Sequence, residues 1–158
     1  TFATGRVGGD GRGCTKAVKG VKIMFMVDAK GLRMAVNTGK ASPHECTLVE
    51  PLFDFMVTVD FPEKLIGDKA YDSDKLDQTL EEWGVEMIAP HRSNRKPENK
   101  TQDGRKLRRY RRRWAVERTI GWLQNFRRLC IRWEKSTAMF QGFVNLTCAL
   151  LLMKEVLG

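Results

Sequence analysis

Lys22-Ile23-Met24-Phe25-Met26-Val27-Asp28, then Ala29-Lys30-Gly31, then Leu32-Arg33-Met34-Ala35-Val36-Asn37-Thr38, is the stretch that decides the fold. Its first part is a continuous apolar run without polar alternation, the pattern of a buried strand. Ala29-Lys30-Gly31 has turn composition, and Leu32 to Thr38 is a returning strand, so the whole predicts a β-hairpin. Before it, residues 5 to 20 are rich in Gly, Lys and Arg and are expected to form a loop. After it, Ser42-Pro43-His44-Glu45 has the form of a capping box, with Ser42 as N-cap, Pro43 as first helical residue and Glu45 as reciprocal acceptor. A helix is expected from there to about Phe55.

The rest of the chain continues the alternation. Lys64 to Lys69 predicts a short apolar strand that ends on Asp68, and Asp72 or Ser73 caps a helix running to Trp83 and stopping at Gly84. Val85 to Ala89 predicts a strand closed by Pro90, and His91 to Gly104 a polar loop. Arg105 to Arg128 predicts one long basic helix, and Ala138 to Val156 a last, mostly apolar one. This order predicts an α/β fold with a mixed sheet, organised as one domain over residues 1–158.

The charge is uneven. From Arg105 to Lys135 there are 12 Lys/Arg and 2 acids, Glu117 and Glu134, while the whole chain carries +9; everything outside this stretch is close to neutral. Such a concentrated basic field favours a polyanionic partner. No basic amphipathic segment has the broad apolar face that membrane binding needs, and the apolar stretch Phe143 to Met153 is too short to span a bilayer, so DNA or RNA is favoured. Cys14, Cys46, Cys130 and Cys148 form no Cys-x-x-Cys pair, which argues against a zinc site or a disulfide framework and points to a reducing cytosol.

Two acids stand out as candidate metal ligands. Asp68 follows Leu65-Ile66-Gly67 at the carboxyl end of a strand expected to be central, where open α/β sheets place ligands. A turn or cap role for Asp68 is the competing explanation. Glu117 sits inside the basic helix. At 100° per residue Tyr110, Arg113, Glu117 and Gln124 fall on one arc with Gly121, whereas Arg108, Arg111, Arg112 and Arg118 project away. Ion pairs of Glu117 with Arg113 and Arg118 are the simpler alternative. Two carboxylates from separate elements suit a hard divalent ion such as magnesium, and two-metal phosphodiester chemistry asks for about three. His44-x-Cys46 is weak as a metal pair. Trp83, Trp122 and Trp133 are expected in the core, and Lys16, Lys19 and Lys22 are possible phosphate contacts.

Leu65-Ile66-Gly67-Asp68-Lys69-Ala70-Tyr71-Asp72-Ser73-Asp74 and Arg109-Tyr110-Arg111-Arg112-Arg113-Trp114-Ala115-Val116-Glu117-Arg118 resemble bacterial DDE-type insertion-sequence transposases. So do Ala41-Ser42-Pro43-His44-Glu45, Met87-Ile88-Ala89-Pro90-His91-Arg92 and Trp122-Leu123-Gln124-Asn125-Phe126-Arg127-Arg128. The resemblance runs through essentially the whole chain. It implies an RNase H-like mixed sheet flanked by helices, with Asp68 as second catalytic aspartate and Glu117 as catalytic glutamate. Tyr110, Arg113 and Glu117 match the family signature; Gln124 stands where the family has lysine.

The same resemblance places the first catalytic aspartate about two residues before Thr1, with the first strand truncated and an upstream helical segment lacking. Asp10, in the glycine-rich loop, and Asp28, beside the turn, are poor substitutes. The resemblance further implies two magnesium ions, with manganese as a substitute, bound by Asp68 and Glu117 with the first aspartate. Arg113 and Tyr110 would serve the scissile phosphate or the glutamate. Arg109, Arg113, Gln124, Arg127 and Arg128 are expected to meet DNA. The expected activity is metal-dependent strand cleavage and transfer by a homo-oligomer in a prokaryotic, nucleoid-associated cytoplasmic setting. The isolated chain is expected to bind DNA without cutting it. The alternative is a non-catalytic DNA-binding remnant or inhibitor.

Overall fold

Phe2–Gly5 (β1), Gly13–Cys14 (β2), Lys19–Val27 (β3) and Arg33–Lys40 (β4) build the first part of the molecule. The structure is a computed structural model describing residues 2–6, 8–14, 19–100 and 104–157. β3 and β4 form the expected hairpin, paired from Val21↔Lys40 to Val27↔Arg33. Asp28 closes its turn by accepting hydrogen bonds at Oδ1 from the backbone N–H groups of Lys30 (2.9 Å) and Leu32 (2.8 Å). β1 lies on the other side of β3, antiparallel to it, with Phe2 opposite Lys22.

The unbroken apolar run is explained by burial on both faces of β3. Val21 and Ile23 pack with Ala3, Val36, Leu123, Leu129, Phe140 and Val144 on one face. Met24 and Met26 pack with Val49, Leu52, Phe53, Leu76 and Leu80 on the other. Helices cover both sides: Glu50–Phe53 (α1) and Asp74–Glu82 (α2) on the methionine face, Trp114–Gln124, Arg127–Cys130 and Thr137–Leu157 on the valine–isoleucine face. A strand in that position has no solvent side on which polar residues could alternate. Ile131–Arg132 adds a short strand parallel to β1, so the five-stranded sheet is mixed. The α/β class expected from the sequence is therefore present.

Several local expectations change. The sheet is not continuous: Lys64–Ile66 (β5) and Glu86–Ile88 (β6) pair in parallel as a separate two-stranded sheet, so the strand before Asp68 is not central. The supposed loop at residues 5–20 contains β2 and the start of β3, and Lys16 lies outside the described residues. The capping box does not form. Ser42 Oγ instead accepts from Cys14 N–H (3.2 Å), and His44 caps a 3₁₀ turn, Glu45–Leu48, ahead of the short α1. Ser73 rather than Asp72 caps α2, and Gly84 ends it at φ 75°.

The long basic helix is four pieces: Gly104–Leu107 (α3), a 3₁₀ stretch Arg108–Arg113, Trp114–Gln124 (α4) and Arg127–Cys130 (α5). Ile131–Arg132 (β7) and Thr137–Leu157 (α6) complete the chain. α6 is long and apolar enough by length and composition to cross a membrane, yet Phe140, Val144, Thr147 and Cys148 bury one of its faces in the core. All four cysteines are free thiols.

Arg132, the last arginine of the basic stretch, is 1 % exposed. Its guanidinium donates to Glu134 O (2.8 Å) and Lys135 O (2.8 Å) and reaches Asp10 Oδ1 (3.2 Å). Asp10 also accepts from Thr137 N–H at the start of α6 (2.7 Å), and this hydrogen bond, ahead of the Arg132 charge, holds its carboxyl below the ordinary value. Asp10 is thereby committed to a structural role.

Candidate active site

A cavity of about 510 Å³ opens between β3 and β5 under α4. Ile23 to Val27 form one wall and Lys64 to Ile66 the opposite one. Asp68 and Glu117, 49 positions apart in the chain, both line it, as do Arg109, Arg112 and Arg113. Two acids picked out on separate elements are thus brought to one cavity with a basic rim.

Asp68 leaves β5 through Gly67. A Cβ at residue 67 would sit 2.6 Å from Met87 Cε and 2.7 Å from the Tyr71 ring, so glycine lets the strand end this close to its neighbours without moving them. Asp68 Oδ1 accepts from Ala70 N–H (2.7 Å), which folds Lys69–Tyr71 into a 3₁₀ turn. The turn role and the cavity position therefore coexist in one residue. Burial, then the Glu45 and Asp68 carboxylates, push the Tyr71 hydroxyl well above its ordinary range, so it stays protonated.

Glu117 sits in the first turn of α4, which continues directly from the 3₁₀ stretch. Its Oε1 pairs with Arg113 Nη2 at 2.6 Å. Arg118 does not pair with Glu117. Its guanidinium stacks between Trp114 (4.7 Å) and Trp122 (4.8 Å) and donates to Lys30 O. Thr119 Oγ1 donates to Gly31 O (2.7 Å), so α4 is docked onto the β3–β4 turn by two adjacent side chains. This docking fixes where Glu117 points. A Cβ on Gly31, whose φ is 85°, would lie 3.0 Å from both Arg118 Nη2 and Thr119 Oγ1. Gly31→Ala is expected to cost about 1–2 kcal/mol, from backbone strain and the tight contact. The check is a urea titration, with a lowered midpoint at unchanged m-value as the expected result.

The remaining predicted residues divide. Tyr110 is not in the cavity wall; it carries the Arg113 guanidinium on its ring at 5.2 Å. Gln124 is exposed at the far end of α4, and Arg127 and Arg128 lie on α5, with Arg128 paired to Glu134 (2.7 Å) and set over Phe143. Tyr110, Arg113 and Glu117 are brought together, with Arg113 between the Tyr110 ring and the Glu117 carboxylate, and the 3₁₀ winding of residues 108–113 keeps Tyr110 and Arg113, three positions apart, on one side. Arg112, expected to point elsewhere, lines the cavity. Lys22, expected as a phosphate contact, is held by Pro43 O (2.9 Å) and Glu45 (3.6 Å). Trp133 is 50 % exposed and carries Arg6 on its ring, and Trp83 packs in an aromatic cluster with Phe53 and Phe61; neither is core.

Asp28 and Glu45 also face the cavity, but the hairpin turn and Lys22 engage them. Among the described residues no group of three His, Cys, Asp or Glu is placed to hold one ion. The donor chemistry that is present, two hard carboxylates beside arginines, suits a divalent cation bridged to phosphate.

Behind Asp68 lies a second polar cluster that the sequence did not announce. The buried Asp72 carboxylate accepts from Arg92 N–H (2.7 Å), lies 2.9 Å from His91 Nδ1, and pairs with Arg95. Burial raises its pKa, and the Arg92 and His91 hydrogen bonds with the Arg95 charge outweigh that, so the carboxyl is held below the ordinary 3.8. A depressed carboxyl stabilises the fold above its unfolded pKa, and the contribution is lost as pH falls through the lower folded value. The thermal midpoint of the chain is expected to drop on acidification below about pH 4, and Asp72→Asn to show a smaller drop over the same window.

Residues 3–152 match the family model described as Transposase DDE domain. A protein of Burkholderia cepacia named "Putative transposase for insertion sequence element IS402" is 31 % identical over 144 residues, covering 86 % of this chain and 64 % of its own length. One of Brucella ovis (strain ATCC 25840 / 63/290 / NCTC 10512), named "Putative transposase for insertion sequence element IS6501", is 28 % identical over 137 residues, covering 84 % of this chain and 98 % of its own. The chain thus spans just under two thirds of the first relative and nearly all of the second. No solved structure matches it. The matched span takes in both cavity carboxylates, the arginine rim and the strands that place them, and the chain belongs to the DDE-domain transposases of bacterial insertion sequences.

Proposed function

We propose that this chain is the catalytic-core portion of an insertion-sequence transposase, with Asp68 and Glu117 as two of the carboxylates that hold divalent metal, magnesium or manganese. The observation that carries this reading is that both acids line one cavity rimmed by Arg109, Arg112 and Arg113. Metal bound there would supply Lewis-acid polarisation of a phosphodiester and an activated nucleophile. The chain's own residues do the rest. The arginine rim attracts and places the scissile phosphate, Arg113 neutralises and orients Glu117 until phosphate competes for it, and the Tyr110 ring steadies the Arg113 guanidinium. Arg127 and Arg128, with Gln124, would extend the DNA contact along α5, away from the reacting bond.

A third carboxylate has a natural place. Among the described residues β1 pairs with β3 as far as Lys22, while β3 continues to Val27 along the cavity wall and β5 pairs with β6 alone. A strand continuing β1 upstream in the same register would run between them. Its residue two positions before Thr1 would stand opposite Phe25, on the face that Ala3 shares with Leu123 of α4. That supports an aspartate supplied from before Thr1. On this reading the 158-residue chain binds DNA and does not cut it.

The test compares the two proteins on DNA carrying element ends. The isolated chain is expected to bind duplex DNA with an affinity that falls about linearly in log salt, and to release no cleaved product with magnesium. A chain extended upstream through the aspartate is expected to cleave. Magnesium-dependent cleavage by the 158-residue chain would overturn the three-carboxylate reading, and preference for RNA over duplex DNA would overturn the assignment of the partner. The full enzyme is proposed to act in the cytoplasm as a homo-oligomer that holds two element ends.

A further inference from the structure

We propose that Arg92 and Asp72 are positioning residues that lock the Asp68 carboxylate at the cavity, a role that rests on the reading of Asp68 as a metal-holding acid. The Asp68 turn is short, and its own Asp68–Ala70 hydrogen bond spans only two residues. What fixes the turn comes from elsewhere in the chain. Arg92 Nε donates to Lys69 O (3.0 Å) and Arg92 Nη2 to Ala70 O (2.7 Å), so one guanidinium grips both carbonyls immediately after Asp68. The Cys46 thiol, kept protonated by burial, donates to the same Ala70 O (2.9 Å). Arg92 is itself held through its backbone N–H on Asp72 Oδ2 (2.7 Å). Asp72 is further pinned by Arg95, which also pairs with Asp74, and by His91.

The result is a clasp closing three segments far apart in sequence. The segment after β6 (Pro90-His91-Arg92) grips the segment after β5 (Asp68 to Asp74), and His44 Nε2 lies 3.0 Å from Arg92 Nη2 on the third. The clasp side chains themselves, His44, Asp72, His91, Arg92 and Arg95, are not part of the cavity wall. β5 needs such support, because among the described residues its sheet has two strands, which give the turn no broad scaffold. A lysine keeps the charge but not the rigid planar fork, so it holds the two carbonyls less firmly.

The experiment uses the metal-free 158-residue chain, isotopically labelled, so that no activity is needed. Amide exchange at Ala70 and the carbon chemical shift of the Asp68 carboxyl are followed in wild type, Arg92→Ala and Arg92→Lys. In Arg92→Ala the Ala70 amide is expected to exchange about tenfold faster or more, and the Asp68 carboxyl signal to shift, with the Leu80 and Val36 amides unchanged. Arg92→Lys should fall between the two, and it decides the matter if the alanine variant does not fold. An unchanged Ala70 amide, or acceleration of Ala70, Leu80 and Val36 by one common factor, would overturn the proposal. Manganese is then added to wild type and Arg92→Lys, each extended upstream through the third carboxylate. Broadening at Asp68 and Glu117 that weakens in Arg92→Lys supports the clasp as a metal-site device. Absence of broadening in wild type overturns the metal reading of Asp68 and leaves the clasp measurement standing.

Discussion

Glu117→Gln in the complete transposase is expected to lower metal-dependent strand cleavage about a thousandfold or more while DNA binding at fixed salt stays within about twofold. The substitution keeps the shape of the side chain, the α4 helix and its docking through Arg118 and Thr119 to the hairpin turn. It removes the negative charge that a divalent ion requires. It also frees Arg113 from its 2.6 Å ion pair, which leaves the basic rim at least as attractive to phosphate as before. Asp68→Asn should behave the same way, with the amide oxygen still accepting from Ala70 N–H but without the carboxylate charge. Cleavage of supercoiled DNA carrying element ends, measured beside a salt series of binding, separates the two effects. A glutamine variant that cuts at the wild-type rate would show that Glu117 serves only the surface ion pair.

The second large effect is on the fold. Phe140→Ala is expected to cost about 3–5 kcal/mol, a large part of the about 5–15 kcal/mol that holds a domain of this kind together. Phe140 is 0 % exposed and stands where α6 meets the five-stranded sheet, packed with Ala3, Val21, Ile23 and Val36. The buried Arg132 guanidinium lies 5.8 Å from its ring, so the cavity left by alanine would also loosen that charged group's surroundings. Urea unfolding followed by helical signal gives the value. Leu146→Ala on the exposed side of the same helix (56 % exposed) is the control, expected to change stability by less than about 0.5 kcal/mol. Equal losses from the two variants would mean that α6 does not pack as described.

The difference between those two α6 positions was not legible from composition. Ala138 to Val156 is apolar nearly all round, so periodicity named a helix without saying which side the core would take. Elements with a strong local cause were legible: the β3 run, the Asp28–Leu32 turn, the α2 cap at Ser73 and its stop at Gly84. β1 and β7 are short strands that exist only because they pair with residues distant in the chain. The capping box failed for a similar reason, since Ser42 found a partner in Cys14 instead of the helix it precedes.

The site divides along the same line. Asp68 and Glu117 were visible as a strand-end acid and a lone acid in a basic stretch, and the family resemblance joined them. Asp72 was legible only as a possible cap, because its partners Arg92 and Arg95 come from 20 and 23 positions further on. Arg112 was assigned to the side away from the site because a helical angle records only directions around one axis, while the cavity is closed by β3 and β5 and takes in the long Arg112 side chain.

By itself, then, the sequence determined the α/β class, the central hairpin, the two acids and the basic stretch, since each follows from side-chain chemistry over a few neighbouring residues. Tertiary structure alone decided that Asp68 and Glu117 share a cavity, that Arg132 is buried while Arg112 faces the site, and that the Asp68 turn is clasped by Arg92 and Asp72. Those outcomes depend on which distant groups satisfy one another's charge and hydrogen bonds once water is excluded, a balance that no local pattern records.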